Sequence, residues 1–112
     1  MGYNLHITRR HIHEDEDHVS PISLDEWLAY VKDDPNIEID SNNLTDPPEN
    51  FIINSQPKQW PLWYCNNFKH IYTKNPDNQT IGVMVKIAVT LRAKVQGDEG
   101  EYYEDDSGYP VE

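Results

Sequence analysis

Five histidines, one cysteine and two dense carboxylate clusters are the residues of this chain whose chemistry could do work. His11, His13 and His18 surround Glu14, Asp15, Glu16 and Asp17 in HIHEDEDH (11–18). Histidines two residues apart on an extended segment project to one side, and carboxylates complete a first or second ligand shell, so divalent-metal binding is the chemistry to weigh. The spacing matches no metal motif, and charge runs of this kind are ordinarily solvated loops, so no metal is expected. His6 and His70 both fall on segments with strand periodicity. With a carboxylate they could act as general acid and base if folding brought them together. Cys65 is the only cysteine, which excludes an internal disulfide and a four-thiolate metal site. It lies between aromatics in WPLWYC (60–65) and reads as a small buried hydrophobe rather than a nucleophile. No P-loop, GxGxxG, HExxH, GxSxG or DxDxDG is present, and the five glycines are scattered, leaving no phosphate cradle. The expectation is a protein without catalytic residues or cofactor.

Two further stretches suit recognition. DEGEYYEDD (98–106) places six carboxylates, those of Asp98, Glu99, Glu101, Glu104, Asp105 and Asp106, around Tyr102 and Tyr103. Such a cluster is either a solvated tail or an acidic surface with two amphipathic anchors suited to a basic pocket. With Glu14, Asp15, Glu16 and Asp17 it accounts for half of the twenty acidic residues. In WPLWYC, strand alternation sends Trp63 and Tyr64 to opposite faces, so core packing and an exposed interface aromatic are both open there.

The elements that must position these groups can be read from periodicity. GYNLHITR (2–9) alternates, with Tyr3, Leu5 and Ile7 on one face and Asn4, His6 and Thr8 on the other. Ser23 followed by Glu26 is a capping box, and Leu24, Trp27, Leu28 and Val31 form a helical stripe that ends at Asp34-Pro35. A short extended piece is expected at 37–39 and a strand at Phe51–Ile53. Pro57 and Pro61 should break the stretch that follows. Strands at Leu62–Cys65 and Phe68–Thr73 are then joined at Asn66-Asn67. Asn75 is expected to cap a second helix with Pro76 in its first position and Asp77 at the dipole. Its inward stripe is Ile81, Met84, Val85, Ala88 and Leu91. Val83, Ile87 and Val89 widen that stripe, so the helix should be nearly enclosed. Gly82 weakens it locally. A hairpin over Lys94–Gln96 and Glu101–Tyr103 closes the fold. The expected architecture is α+β: an antiparallel sheet of about four to six strands with two helices on one face, in one domain over 1–103, followed by a flexible acidic tail at 104–112.

Composition bounds the function. The 112 residues fit one domain, and a formal charge of -11 with only one basic pair, Arg9-Arg10, excludes the basic patch of a nucleic-acid binder. Mean hydropathy is -0.82, and no apolar run reaches the length of a membrane span. MGYNLHITRR lacks a signal-peptide pattern, and a lone cysteine fits the reducing cytoplasm.

GYNLHITR (2–9), ISLDEWLAYVKDDP (22–35), YTKNPD (72–77) and IAVTLRAKVQGDEGEYY (87–103) together resemble a family of small bacterial α+β proteins. Some members of that family are immunity proteins of toxin systems. The resemblance covers both ends of the chain and little of 36–71, and it carries no catalytic residues. HIHEDEDH and 36–59 depart from the family pattern, and specificity for one partner would reside there. The resemblance implies an immunity role; with the lone cysteine and the charge balance, the expectation is a cytoplasmic immunity protein that binds a cognate toxin domain through an acidic surface, with no nucleic acid or membrane as partner. The toxin-interface candidates are Asp98, Glu99, Glu101, Tyr102, Tyr103, Glu104, Asp105, Asp106, Asp15, Glu16, Asp17, Trp63 and Tyr64. The alternatives are a small enzyme or metal-dependent protein using the His-rich loop, and a non-catalytic oligomeric regulator.

Overall fold

A computed structural model of the chain describes residues 4–10, 19–55 and 58–103. Nine elements follow in order: β1 (Asn4–Thr8), α1 (Leu24–Asp33), β2 (Ile37–Ile39), β3 (Asn50–Ser55), β4 (Lys58–Cys65), β5 (His70–Lys74), α2 (Asn78–Thr90), β6 (Lys94–Gly97) and β7 (Tyr102–Tyr103). The fold is α+β, as expected. The strands form one antiparallel sheet in the order β2-β3-β4-β5-β1-β6-β7. Its seven strands exceed the expected number because the three-residue β2 and two-residue β7 are recruited as its edges. Such short edge strands offer little template for unwanted pairing.

Local chemistry explains the helices. The Ser23 hydroxyl accepts the Glu26 N–H at 3.1 Å and opens α1. Trp27 and Val31 are buried, and the Trp27 ring meets Phe51 edge-on at 5.6 Å and stacks on Tyr30 at 5.8 Å. Helix α2 begins two residues later than expected. Asp77, not Asn75, is the cap and accepts the Thr80 N–H at 2.8 Å. Asn75 instead takes a φ of 50°, which asparagine tolerates better than most residues. Ile81, Met84, Val85, Ala88 and Leu91 are buried as expected. Val89 is 69% exposed, so α2 is not enclosed all round. The helix ends in a Schellman arrangement, with Arg92 at φ 55° and Ala93 N–H donating to Ala88 O at 2.7 Å.

Pro61 lies inside β4 rather than ending a segment. Tyr64 N–H donates to Glu49 O, so even-numbered residues of β4 turn their N–H groups toward β3 and Pro61 points the other way. On that side pairing with β5 begins only at Trp63, so no ladder hydrogen bond is lost. The Pro61 carbonyl is used there, accepting the Thr73 hydroxyl at 2.6 Å.

Pairing register divides the side chains between two faces. Leu5, Ile7, Phe51, Ile53, Leu62, Tyr64, Ile71 and Val95 face the helices and form the core with them. Among the described residues no helix covers the opposite face, which is crossed by one row of directly paired residues: Asn50, Trp63, Tyr72, His6, Gln96 and Tyr102.

One side chain joins three elements behind the sheet. The Arg9 guanidinium donates to both oxygens of the Glu26 carboxylate, to Pro21 O at 3.3 Å, and to Leu91 O from Nε at 3.1 Å and Nη2 at 2.6 Å. It ties the end of β1 to the start of α1 and caps the carbonyl end of α2. The Arg9 guanidinium, with help from the Ser23 N–H, holds the Glu26 carboxyl below its usual range. Among the described residues, no helix is long and apolar enough to cross a membrane.

Candidate functional site on the helix-free sheet face

The helix-free face brings together two histidines and a carboxylate from separate parts of the chain. Strand β1 is inserted between β5 and β6, so His6 is flanked by residues far away in sequence. Its Nδ1 lies 3.3 Å from Nε2 of His70, and its Nε2 lies 2.9 Å from Oδ1 of Asp98. The other Asp98 oxygen accepts the Asn4 N–H at 2.8 Å. These contacts form a chain from a carboxylate through one imidazole to a second. His6 and His70 are 8% and 7% exposed, low values for a face without helices.

Aromatic rings surround the pair. His70 meets His6 edge-on at 4.8 Å, and Phe68 stacks on His70 at 5.8 Å. Tyr72 lies 6.2 Å from His70 and 5.3 Å from Trp63. Burial, and then the positive charge that His6 can carry, push the His70 imidazole down to about 4, so it is neutral at pH 7. With Asp98 ionised, the chain has two consistent proton arrangements. Neutral His6 donates from Nε2 to Asp98 and accepts at Nδ1 from His70. Protonated His6 donates from both nitrogens, to Asp98 and to His70. Either arrangement could relay a proton along the chain.

The expected interface residues are distributed unevenly. Trp63 is half-buried on the helix-free face, and Tyr102 is half-buried at the end of the same row with Lys94 Nζ 5.1 Å from its ring centre. Glu99 is exposed on the β6–β7 turn, Glu101 is half-buried, and the Asp98 carboxylate is turned onto β1. Tyr64 and Tyr103 are corrections. Both are buried in the core, at 4% and 8% exposure, because their strand positions point toward the helices. The Tyr64 hydroxyl donates to Ile22 O at 2.8 Å, and burial pushes its ionisation up. Asp15, Glu16, Asp17, Glu104, Asp105 and Asp106 lie outside the described residues, as do His11, His13 and His18. Cys65 is half-buried opposite His70, not enclosed as its sequence neighbours suggested. Among the described residues, no three His, Cys, Asp or Glu side chains are placed to hold a metal ion.

Phe68 and Tyr72 were missed as surface aromatics. Phe68 was expected to begin a strand, but residues 66–69 form a turn in which Lys69 has φ 54° and Phe68 is 68% exposed. Only the alternation of β5 could have placed Tyr72 beside the histidines. No family model, curated protein or solved structure matches this chain.

Proposed function

We propose that this protein is a non-catalytic immunity protein, acting in the cytoplasm by binding and neutralising a cognate toxin domain. The observation that carries this reading is the helix-free face itself. Trp63, Tyr72 and Tyr102 lie half-buried along one row of it, and Phe68 projects from its rim. Partly exposed aromatics bordered by polar groups are the composition of a protein-binding surface. Lys69, Lys74 and Lys94 fringe this face, and Glu99 and Glu101 follow it on the β6–β7 turn. The net charge of -11 favours encounter with a cationic toxin, with the turn carboxylates adding local attraction.

The test is protection of a toxin-expressing strain together with direct capture of the toxin. The double variant Trp63→Ala/Phe68→Ala should lose both while keeping its circular dichroism and melting temperature within a few degrees. Retention of protection by that variant removes the proposed face.

A second reading, acid–base catalysis, is favoured by the Asp98–His6–His70 chain. A turnover activity abolished by both His6→Ala and His70→Ala, in variants that remain folded, replaces the binding reading with this one.

A further inference from the structure

We infer that Asp98, His6 and His70 form a proton-counting switch: the chain takes up one proton in place, and a second forces His70 and the Phe68 turn to move. The inference rests on geometry and does not depend on the proposed toxin.

Consider the proton inventory. With Asp98 ionised, one added proton makes His6 an imidazolium between two acceptors, the carboxylate at 2.9 Å and the ring nitrogen of His70 at 3.3 Å. No heavy atom need move, because His70 only shifts its own hydrogen to the other ring nitrogen. A second proton converts the contact at 3.3 Å into two N–H groups pointing at each other between two cations. Neither ring is more than a tenth exposed, so water screens that repulsion poorly. His6 is tethered to Asp98 and lies midway along β1, paired to β5 on one side and to β6 on the other. His70 is the first residue of β5 and adjoins a turn, so it is the ring that yields. Phe68, stacked on it, moves with it.

Among the described residues, the other groups around the pair do not cancel this effect. From β4, Cys65 lies opposite His70, and Lys69 precedes it in the turn. From β5 come Tyr72 and Lys74, and from β6 comes Lys94, with Tyr102 beyond it. Three of these groups are cationic and raise the cost of a second positive charge. Among the described side chains, Asp98 is the carboxylate that contacts the pair. The consequence is that the aromatic rim of this face has two arrangements selected by acidity.

The experiment is a titration of the full-length protein by NMR, following the imidazole resonances and the Phe68 ring between pH 8 and 3.5. Two macroscopic steps separated by more than about one pH unit are expected for the pair. The Phe68 resonances should follow the lower step alone. In His6→Asn the like charge is gone, so His70 should titrate in a single step at a higher pH than in the parent. Should His6→Asn not fold, Asp98→Asn serves instead, because removing the carboxylate must lower the pH at which the pair takes its first proton. Simultaneous titration of both rings in the ordinary imidazole range, or a Phe68 ring indifferent to the lower step, overturns the inference. Each readout is made without a partner, so loss of toxin binding would refute the proposed function and leave this switch standing.

Discussion

Replacing Arg9 with methionine should disconnect three elements at once. The guanidinium makes five hydrogen bonds, two to the Glu26 carboxylate, two to Leu91 O and one to Pro21 O. Methionine keeps the aliphatic stem but supplies no donor, so Leu91 O loses its side-chain cap and Glu26 its partner. A buried pair broken on one side costs about 3–5 kcal/mol. Here the Arg9 side chain is 19% exposed and that of Glu26 is 40% exposed, so the carboxylate recovers much of its hydration. The loss of Glu26 is then worth about 1 kcal/mol, and the two partly buried carbonyls add about 1–2 kcal/mol. A total near 2–3 kcal/mol is a large share of the stability of a small domain. Urea denaturation followed by tryptophan fluorescence should show this as a lower midpoint with an unchanged slope. Arg9→Lys should recover less than half, because an ammonium has no planar fork to serve carboxylate and carbonyls together. In a double-mutant cycle, Glu26→Gln should couple to Arg9→Met by about 1 kcal/mol. A loss below about 0.5 kcal/mol for Arg9→Met, or full recovery by lysine, would refute the clamp.

Trp27→Ala should cost about 3–5 kcal/mol, because the ring is fully buried against Phe51. Trp27→Phe should cost much less, since the buried indole N–H has no hydrogen-bond partner among the described residues and nothing is lost with it. Both are measured by urea denaturation. His70 is neutral when folded down to about pH 4, whereas its unfolded imidazole protonates from 6.5. Its share of the stability is therefore complete above pH 6.5 and is lost as pH falls toward 4, by about 3 kcal/mol at most. His70→Phe should flatten the stability–pH curve in that window, and an unchanged slope contradicts the shift. Glu99→Gln/Glu101→Gln should slow association with a cationic toxin and weaken its salt dependence, in stopped-flow measurements at two ionic strengths. Phe68→Ala should chiefly speed dissociation, which surface plasmon resonance reads directly.

Much of the fold was legible along the chain because it is decided locally. The alternation of GYNLHITR, the Ser23 cap, the stripe through Trp27 and the glycine-flanked hairpin near the C-terminus each involve residues within a few positions of one another. Local rules also misled where two residues competed for one task. Asn75 and Asp77 are both good caps, and Asp77 holds the position because Asn75 is spent on a left-handed turn. Pro61 read as a breaker because its neighbours across the sheet were unknown, and its effect depends on which side of β4 lacks a partner.

Alternation alone established that Trp63 and Tyr64 lie on opposite faces. It could not say which face would receive the helices. That depended on the rest of the sheet burying Phe51, Leu62 and Ile71 on the Tyr64 side. The same holds for the histidines. Composition and pattern placed His6 and His70 on strands and Asp98 in an acidic turn, and each assignment was complete in itself. Their contacts span 64 and 92 residues of chain, and they exist because β1 is inserted between β5 and β6. Side-chain period carries no label for the partner strand; long-range pairing is selected by the burial of the whole sheet against both helices. The residues were therefore visible in the sequence, and the chain of contacts among them was decided by the tertiary structure.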